Sequence, residues 1–277
     1  MSVWEKLTSL PREVVMTLIL IAMIIPAINP LGLPILTGEM SRDWYAAVDE
    51  LPEGSVILFD IGYGSGGYPS LGPGNIAALH QMFEKGHKVI LMATQLEGSM
   101  MYPLIMESVR PEQRYGAVYG EDYIFLGYIA GTQTAMAGVL GDLRSLVSQD
   151  YNENPLDSYP IMEGIEGAEQ FDLVAYITTS GDIAEGWVYQ AYSQYNLAVL
   201  GGCLSMMTTS IKPYYDSGQI LGIMDGVKGA ADLEFLTDNP GDAIISSDIL
   251  SFTQTLVMIF IIVGNLAYLM QRQQGGS

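Results

Sequence analysis

The chain has 277 residues, 49% of them apolar, which is enough to bury a sizeable core and too apolar for disorder as the main state. Asp and Glu number 31 against 11 Lys and Arg, and the resulting net charge of −20 repels phosphate backbones, so nucleic acid is excluded as an expected partner. One cysteine, Cys203, and two histidines exclude a disulfide framework and a Cys/His zinc site, and no metal or other cofactor is expected.

Residues 1–13 read as a polar tail carrying Lys6 and Arg12. From Val14 to Gly38 no side chain is charged, so residues 14–38 are expected to form a first membrane span. Pro26, Pro30 and Pro34 recur every fourth residue and each removes an amide donor, so the second half should kink or unwind and pack against protein, including another subunit. No small-x-small cleavage site follows, which favours an uncleaved anchor over a signal peptide.

Residues 39–248 read as one acidic α/β domain with a doubly wound, mostly parallel five-stranded sheet. The expected strands are 55–61, 88–94, 122–128, 171–179 and 197–204, and helical stretches follow at 75–86, 99–109, 132–147 and 183–195, with a further one after the last strand. The strands are apolar on both faces, as expected when helices cover both sides of a sheet. The polar stretch 148–160 is a connection inside this single domain.

After the first strand, "DIGYGSGGYPSLGPGN" contains G-x-G-x-x-G at Gly62, Gly64 and Gly67. A dinucleotide site needs those glycines at a tight strand-to-helix turn. Pro69, Gly72, Pro73 and Gly74 are expected to delay the helix, and the acid that would bind a ribose is replaced by Thr94, with Glu97 further out. The expectation is therefore a structural or contact loop, and no P-loop pattern occurs.

The carboxyl ends of parallel strands form the natural crevice of such a fold. The residues expected to line it are Asp60, Tyr63, Ser65, Thr94, Glu97, Tyr128, Thr179, Ser180, Asp182 and Ser205, a polar mouth suited to a small polar ligand. Enzyme chemistry has less support. "GSGGY" after one strand and Ser99 after the next resemble, thinly, membrane-anchored serine peptidases of the crotonase type, yet the available bases, His80 and Lys228, are tied to Ser99 by no spacing. Cys203 sits in an apolar run and reads as a packing residue.

The stretch "SGQILGIMDGVKGAADLEFL" (217–236) is glycine-spaced, and Gly218, Gly222, Gly226 and Gly229, together with Pro26, Pro30 and Pro34, are the expected subunit contacts. Residues 249–271 form an uncharged, proline-free second span, followed by Arg272 in a short tail, 272–277, whose closing Gly-Gly-Ser reads as an expression scar. Lys6, Arg12 and Arg272 lie outside the spans and acids lie inside, so both termini are expected to be cytoplasmic and the domain extracytoplasmic.

The runs "LPEGSVILFDIGY", "HKVILMA", "EDYIFLGYIAG", "LGDLRSL", "PLDSYPIM", "GVKGAADLE" and "IIVGNLAYLM" make most of the chain resemble a family of uncharacterised prokaryotic membrane proteins. That resemblance implies one span at each end with an α/β domain between, and it carries over no catalytic residues. The leading expectation is a membrane-anchored, non-enzymatic assembly protein that self-associates; the alternatives are a tethered receptor for a small polar ligand and a hydrolase centred on Ser99.

Overall fold

A computed structural model describes residues 11–28 and 35–274, with side chains up to 270. It divides into two compact units, one holding the described residues before Pro34 and those from Ile244 onward, the other Ile35–Ala243.

The second unit is an α/β domain. Its strands are β1 (Val56–Gly62), β2 (Lys88–Ala93), β3 (Tyr123–Tyr128), β4 (Leu173–Thr178), β5 (Ala198–Cys203) and β6 (Gly222–Asp225). All neighbours pair in parallel, in the order β3-β2-β1-β4-β5-β6. The sheet thus has six strands where five were expected. The extra one, β6, is four residues long and lies inside the glycine-spaced stretch, where glycine masks strand character. This is the order of doubly wound sheets in which the chain reverses direction at the β1/β4 boundary, opening a crevice beyond the strand ends.

The strands form because their apolar runs are buried on both faces: Ile57, Leu58, Phe59 and Ile61 of β1 are fully buried. One helical layer comprises α2 (Glu39–Asp49), α3 (Tyr68–Glu84) and α4 (Gly98–Val109), with a short α5 (Pro111–Tyr115). α6 (Gln133–Leu146), α7 (Gly181–Trp187) with a π-helical continuation Val188–Ser193, and α8 (Thr208–Asp216) pack together as a second group. The chain returns to the first layer through α9 (Gly226–Leu236), which packs against α2 and α3.

The start of α3 corrects the sequence reading. It begins at Tyr68, directly after Gly67, so Pro69 falls in the first turn, where its missing amide leaves no bond unmade. Gly72 and Gly74 do not break the helix. An added Cβ at Gly72 would meet the ring of Tyr68 one turn earlier at 2.8 Å, one at Gly74 would meet Met224 Sδ at 2.5 Å, and Pro73 is carried inside the helix without ending it.

The turn before β3 and the long connection before β4 each run beside the outer edge of β3. The backbone N–H groups of Gly120 and Tyr151 donate to Tyr123 O at 2.7 Å and Phe125 O at 2.9 Å, carbonyls that point away from β2.

In the first unit, α1 (Arg12–Ile28) has 17 residues, about 25 Å of helix at 1.5 Å per residue, short of the roughly 30 Å of a hydrocarbon core. A first span is therefore not shown by the described residues, and Pro30 and Pro34 lie outside them. Pro26 is inside α1 and buried. One helix among the described residues is long and apolar enough to cross a membrane: Asp242–Met270, with an 18-residue stretch of mean hydropathy 2.0, within α10 (Asp242–Gln274). It starts upstream of the expected boundary at 249, because the Glu234 carboxylate accepts the Gly241 and Ala243 N–H groups, each at 3.0 Å, and so satisfies amides at the helix start.

Candidate functional site

The site is built at the carboxyl ends of β1, β2, β3, β4 and β5. Asp60, near the end of β1, is fully buried. Its carboxyl accepts three hydrogen bonds: from the Thr94 N–H at 2.9 Å, the Thr94 hydroxyl at 2.7 Å and the Trp187 indole N–H at 2.7 Å. Burial pushes its pKa up to about 6, against the pull of those three donors. The knot joins β1, the β2 end and α7. Asp60 was expected to face ligand; it faces Trp187 instead, because residues 58 and 60 share one side of the strand and that side is core.

Tyr63 is likewise withdrawn from the mouth. Its ring is fully buried, its hydroxyl accepts from Asn75 Nδ2 at 2.9 Å, and burial holds its pKa far above the ordinary range. With Tyr63 inside, the loop Tyr63–Gly67 passes over the sheet end as nearly bare backbone. The Ser65 N–H donates to Glu97 Oε2 at 3.2 Å. The Gly64 and Gly66 N–H groups have no partner among the described residues. A Cβ built on Gly64 would overlap the Glu97 carboxylate, whereas one on Gly66 would meet nothing. Glu97 thus reaches back across the β2 connection and lies in the bend of the glycine loop.

Around this loop opens a crevice of about 680 Å³, lined by Gly64, Gly66, Gly67, Thr94, Gln95, Leu96, Glu97, Tyr128, Thr179 and Leu204. Four of the residues named from sequence therefore meet there: Thr94, Glu97, Tyr128 and Thr179. Ser65 contributes its amide beside them. Ser180 and Asp182 do not line it; the Ser180 N–H donates to Thr178 Oγ1 at 3.0 Å at the start of α7. Ser205 faces the β6–α9 turn, where its hydroxyl would be 2.6 Å from a Cβ on Gly226. The sequence reading missed the lining roles of Gly66, Gln95, Leu96 and Leu204. The glycine run itself was the available signal for the first.

Ser99, the second residue of α4, has its hydroxyl buried and without a hydrogen-bond partner among the described residues. Neither proposed base serves it. His80 is engaged elsewhere: Arg114 Nη1 donates to its Nε2 at 3.1 Å, and the Tyr115 hydroxyl lies 2.7 Å from its Nδ1. Burial, and then the Arg114 charge, lower its pKa to about 4, so it is neutral. Lys228 is paired with Asp232 at 3.0 Å and donates to Leu36 O. Cys203 is fully buried, and burial pushes its thiol up to about 11. Among the described residues no group of three or more His, Cys, Asp or Glu could hold a metal ion.

The glycines expected to meet another subunit are used within the domain. Gly222 lies against the Trp44 backbone, Gly229 would place a Cβ 2.8 Å from the Met224 carbonyl carbon, and Gly226 has a positive φ of 50°. All three are buried, and Gly218 alone stands in open space. The stretch is a strand followed by a helix, not a single small-residue face.

Comparison with family models, with curated proteins and with solved structures finds no match for this chain.

Proposed function

We propose that the protein is a membrane-anchored binding protein whose strand-end crevice takes a small polar ligand. The observation that carries this reading is the crevice at the β1/β4 reversal, where unpaired glycine amides, the Glu97 carboxylate and the Thr179 and Tyr128 side chains converge on about 680 Å³ of open space. Such a volume suits a metabolite-sized ligand. The long apolar helix Asp242–Met270 supports the anchor. Self-association through the 217–236 glycines has less support, since Gly222, Gly226 and Gly229 are buried in their own domain, and so has hydrolysis at Ser99, since His80 and Lys228 are engaged elsewhere.

Thermal unfolding of the full chain in mild detergent, against a panel of metabolites, tests this. Gly66→Trp is the control, because Gly66 lines the crevice and a Cβ built on it meets nothing within 4 Å, so a large side chain can be added at its rim without displacing core. A panel molecule should raise the melting temperature of the wild type and leave Gly66→Trp unchanged. Equal shifts in both proteins would move the site elsewhere and end the proposal.

A further inference from the structure

We infer that the crevice is an anion site occupied by the protein's own Glu97, and that its ligand is a nucleoside phosphate whose phosphate displaces that carboxylate. The inference rests on the proposed binding role of the crevice and names the ligand class.

In a chain of net charge −20, a carboxylate is an unfavourable neighbour for most of the surface, yet Glu97 rests on the glycine loop with Oε2 3.2 Å from the Ser65 N–H. The loop therefore offers what a negative oxygen needs: a backbone donor already engaged and two more, on Gly64 and Gly66, that nothing in the described residues uses. Successive unpaired amides in a turn make a concave anion seat. Glycine is required there for approach, since a Cβ on Gly64 would stand where the carboxylate now lies.

The occupant is removable. Glu97 is exposed and its side chain makes this one hydrogen bond among the described residues, so swinging the carboxylate into solvent breaks nothing in the core. A phosphate carries more charge and more acceptor oxygens than a carboxylate, and it would engage the amides that Glu97 leaves unpaired. The other wall of the crevice is of different character. Leu96, 66% exposed, and Tyr128, 40% exposed, stand with Leu204 around the same space, offering apolar and aromatic surface to a flat ring. An anion seat beside an apolar wall matches a phosphate joined to a base through a sugar, rather than inorganic phosphate alone.

Titration calorimetry with AMP and adenosine on the full-length protein in detergent tests this, using wild type, Glu97→Gln and Gly66→Trp. Glu97→Gln should bind AMP at least about tenfold more tightly than wild type, because a full negative charge no longer contests the seat. Adenosine should bind both proteins equally, and Gly66→Trp should bind neither compound. AMP should also shift the Ser65 and Gly66 amide resonances, and adenosine should not. AMP binding that is unchanged or weakened in Glu97→Gln overturns the displacement. If a neutral panel molecule binds in a Gly66-dependent way while Glu97→Gln ignores AMP, the inference falls and the crevice reading stands. If no compound binds, both fall.

Discussion

The end of β1 and the loop that follows it behave in opposite ways. At Asp60 the strand end is dry, and every oxygen of a buried carboxyl is met by Thr94 or Trp187. A few residues later, at Gly64–Gly66, the backbone is bare, open to solvent and short of partners. The difference teaches how a parallel sheet can hold an adaptable site: a saturated polar knot fixes the strand ends, so the loop above can leave donors unpaired without loosening the fold.

The contrast can be broken most forcefully at the knot. Asp60→Ala leaves the Thr94 and Trp187 N–H groups buried without an acceptor, and should cost about 3–5 kcal/mol of stability, read by denaturant or thermal unfolding. A loss below about 1 kcal/mol would show that the knot fixes nothing.

Acidity gives the next largest effect. The folded pKa of Asp60, about 6, lies above its ordinary value of 3.8, so the folded state holds this proton more tightly than the unfolded chain. Its stabilising contribution is fully present below pH 3.8 and is lost as pH rises through about 6. At 1.36 kcal/mol per unit this is a fall of about 3 kcal/mol. Asp60→Asn should lack that slope, so the difference between wild-type and variant melting curves from pH 4 to pH 7 measures it; parallel curves would contradict it.

Smaller effects sharpen the comparison between core and loop. Tyr63→Phe deprives the buried Asn75 amide of its 2.9 Å acceptor, leaving Leu71 O at 3.4 Å, and should cost about 1 kcal/mol. Gly66→Trp, three residues along, should change stability by no more than about 0.5 kcal/mol, because its side chain enters open space. If Gly66→Trp proved as harmful as Asp60→Ala, the loop would belong to the core.

The sequence made five strands legible through their length and their β-branched, apolar composition, since burial on both faces leaves a continuous apolar run. The same continuity hid which polar residues point inward. Asp60 and Tyr63 look like mouth residues in a linear reading, and only the pairing of β1 with the chain at Thr94, Asn75 and Trp187 shows that they are structural. β6 was obscured by Gly222, which is there because the α2 backbone at Trp44 comes too close for a side chain. The start of α3 was misplaced because proline and glycine read as breakers; Pro69 sits in the first turn, where it removes nothing, Pro73 is tolerated inside the helix, and Gly74 serves packing. The Ser65–Glu97 contact joins residues 32 positions apart, beyond the reach of any local pattern.

The outer margin of β3 has a consequence for how copies of this domain could meet. Tyr123 O and Phe125 O already accept from Gly120 and Tyr151, so a foreign strand meets two occupied carbonyls in the first half of this edge. At the opposite margin β6 offers four residues, too brief a template for extended pairing. Growth by strand addition is thereby hindered at one edge and curtailed at the other, in a sheet whose two faces are already covered by helices.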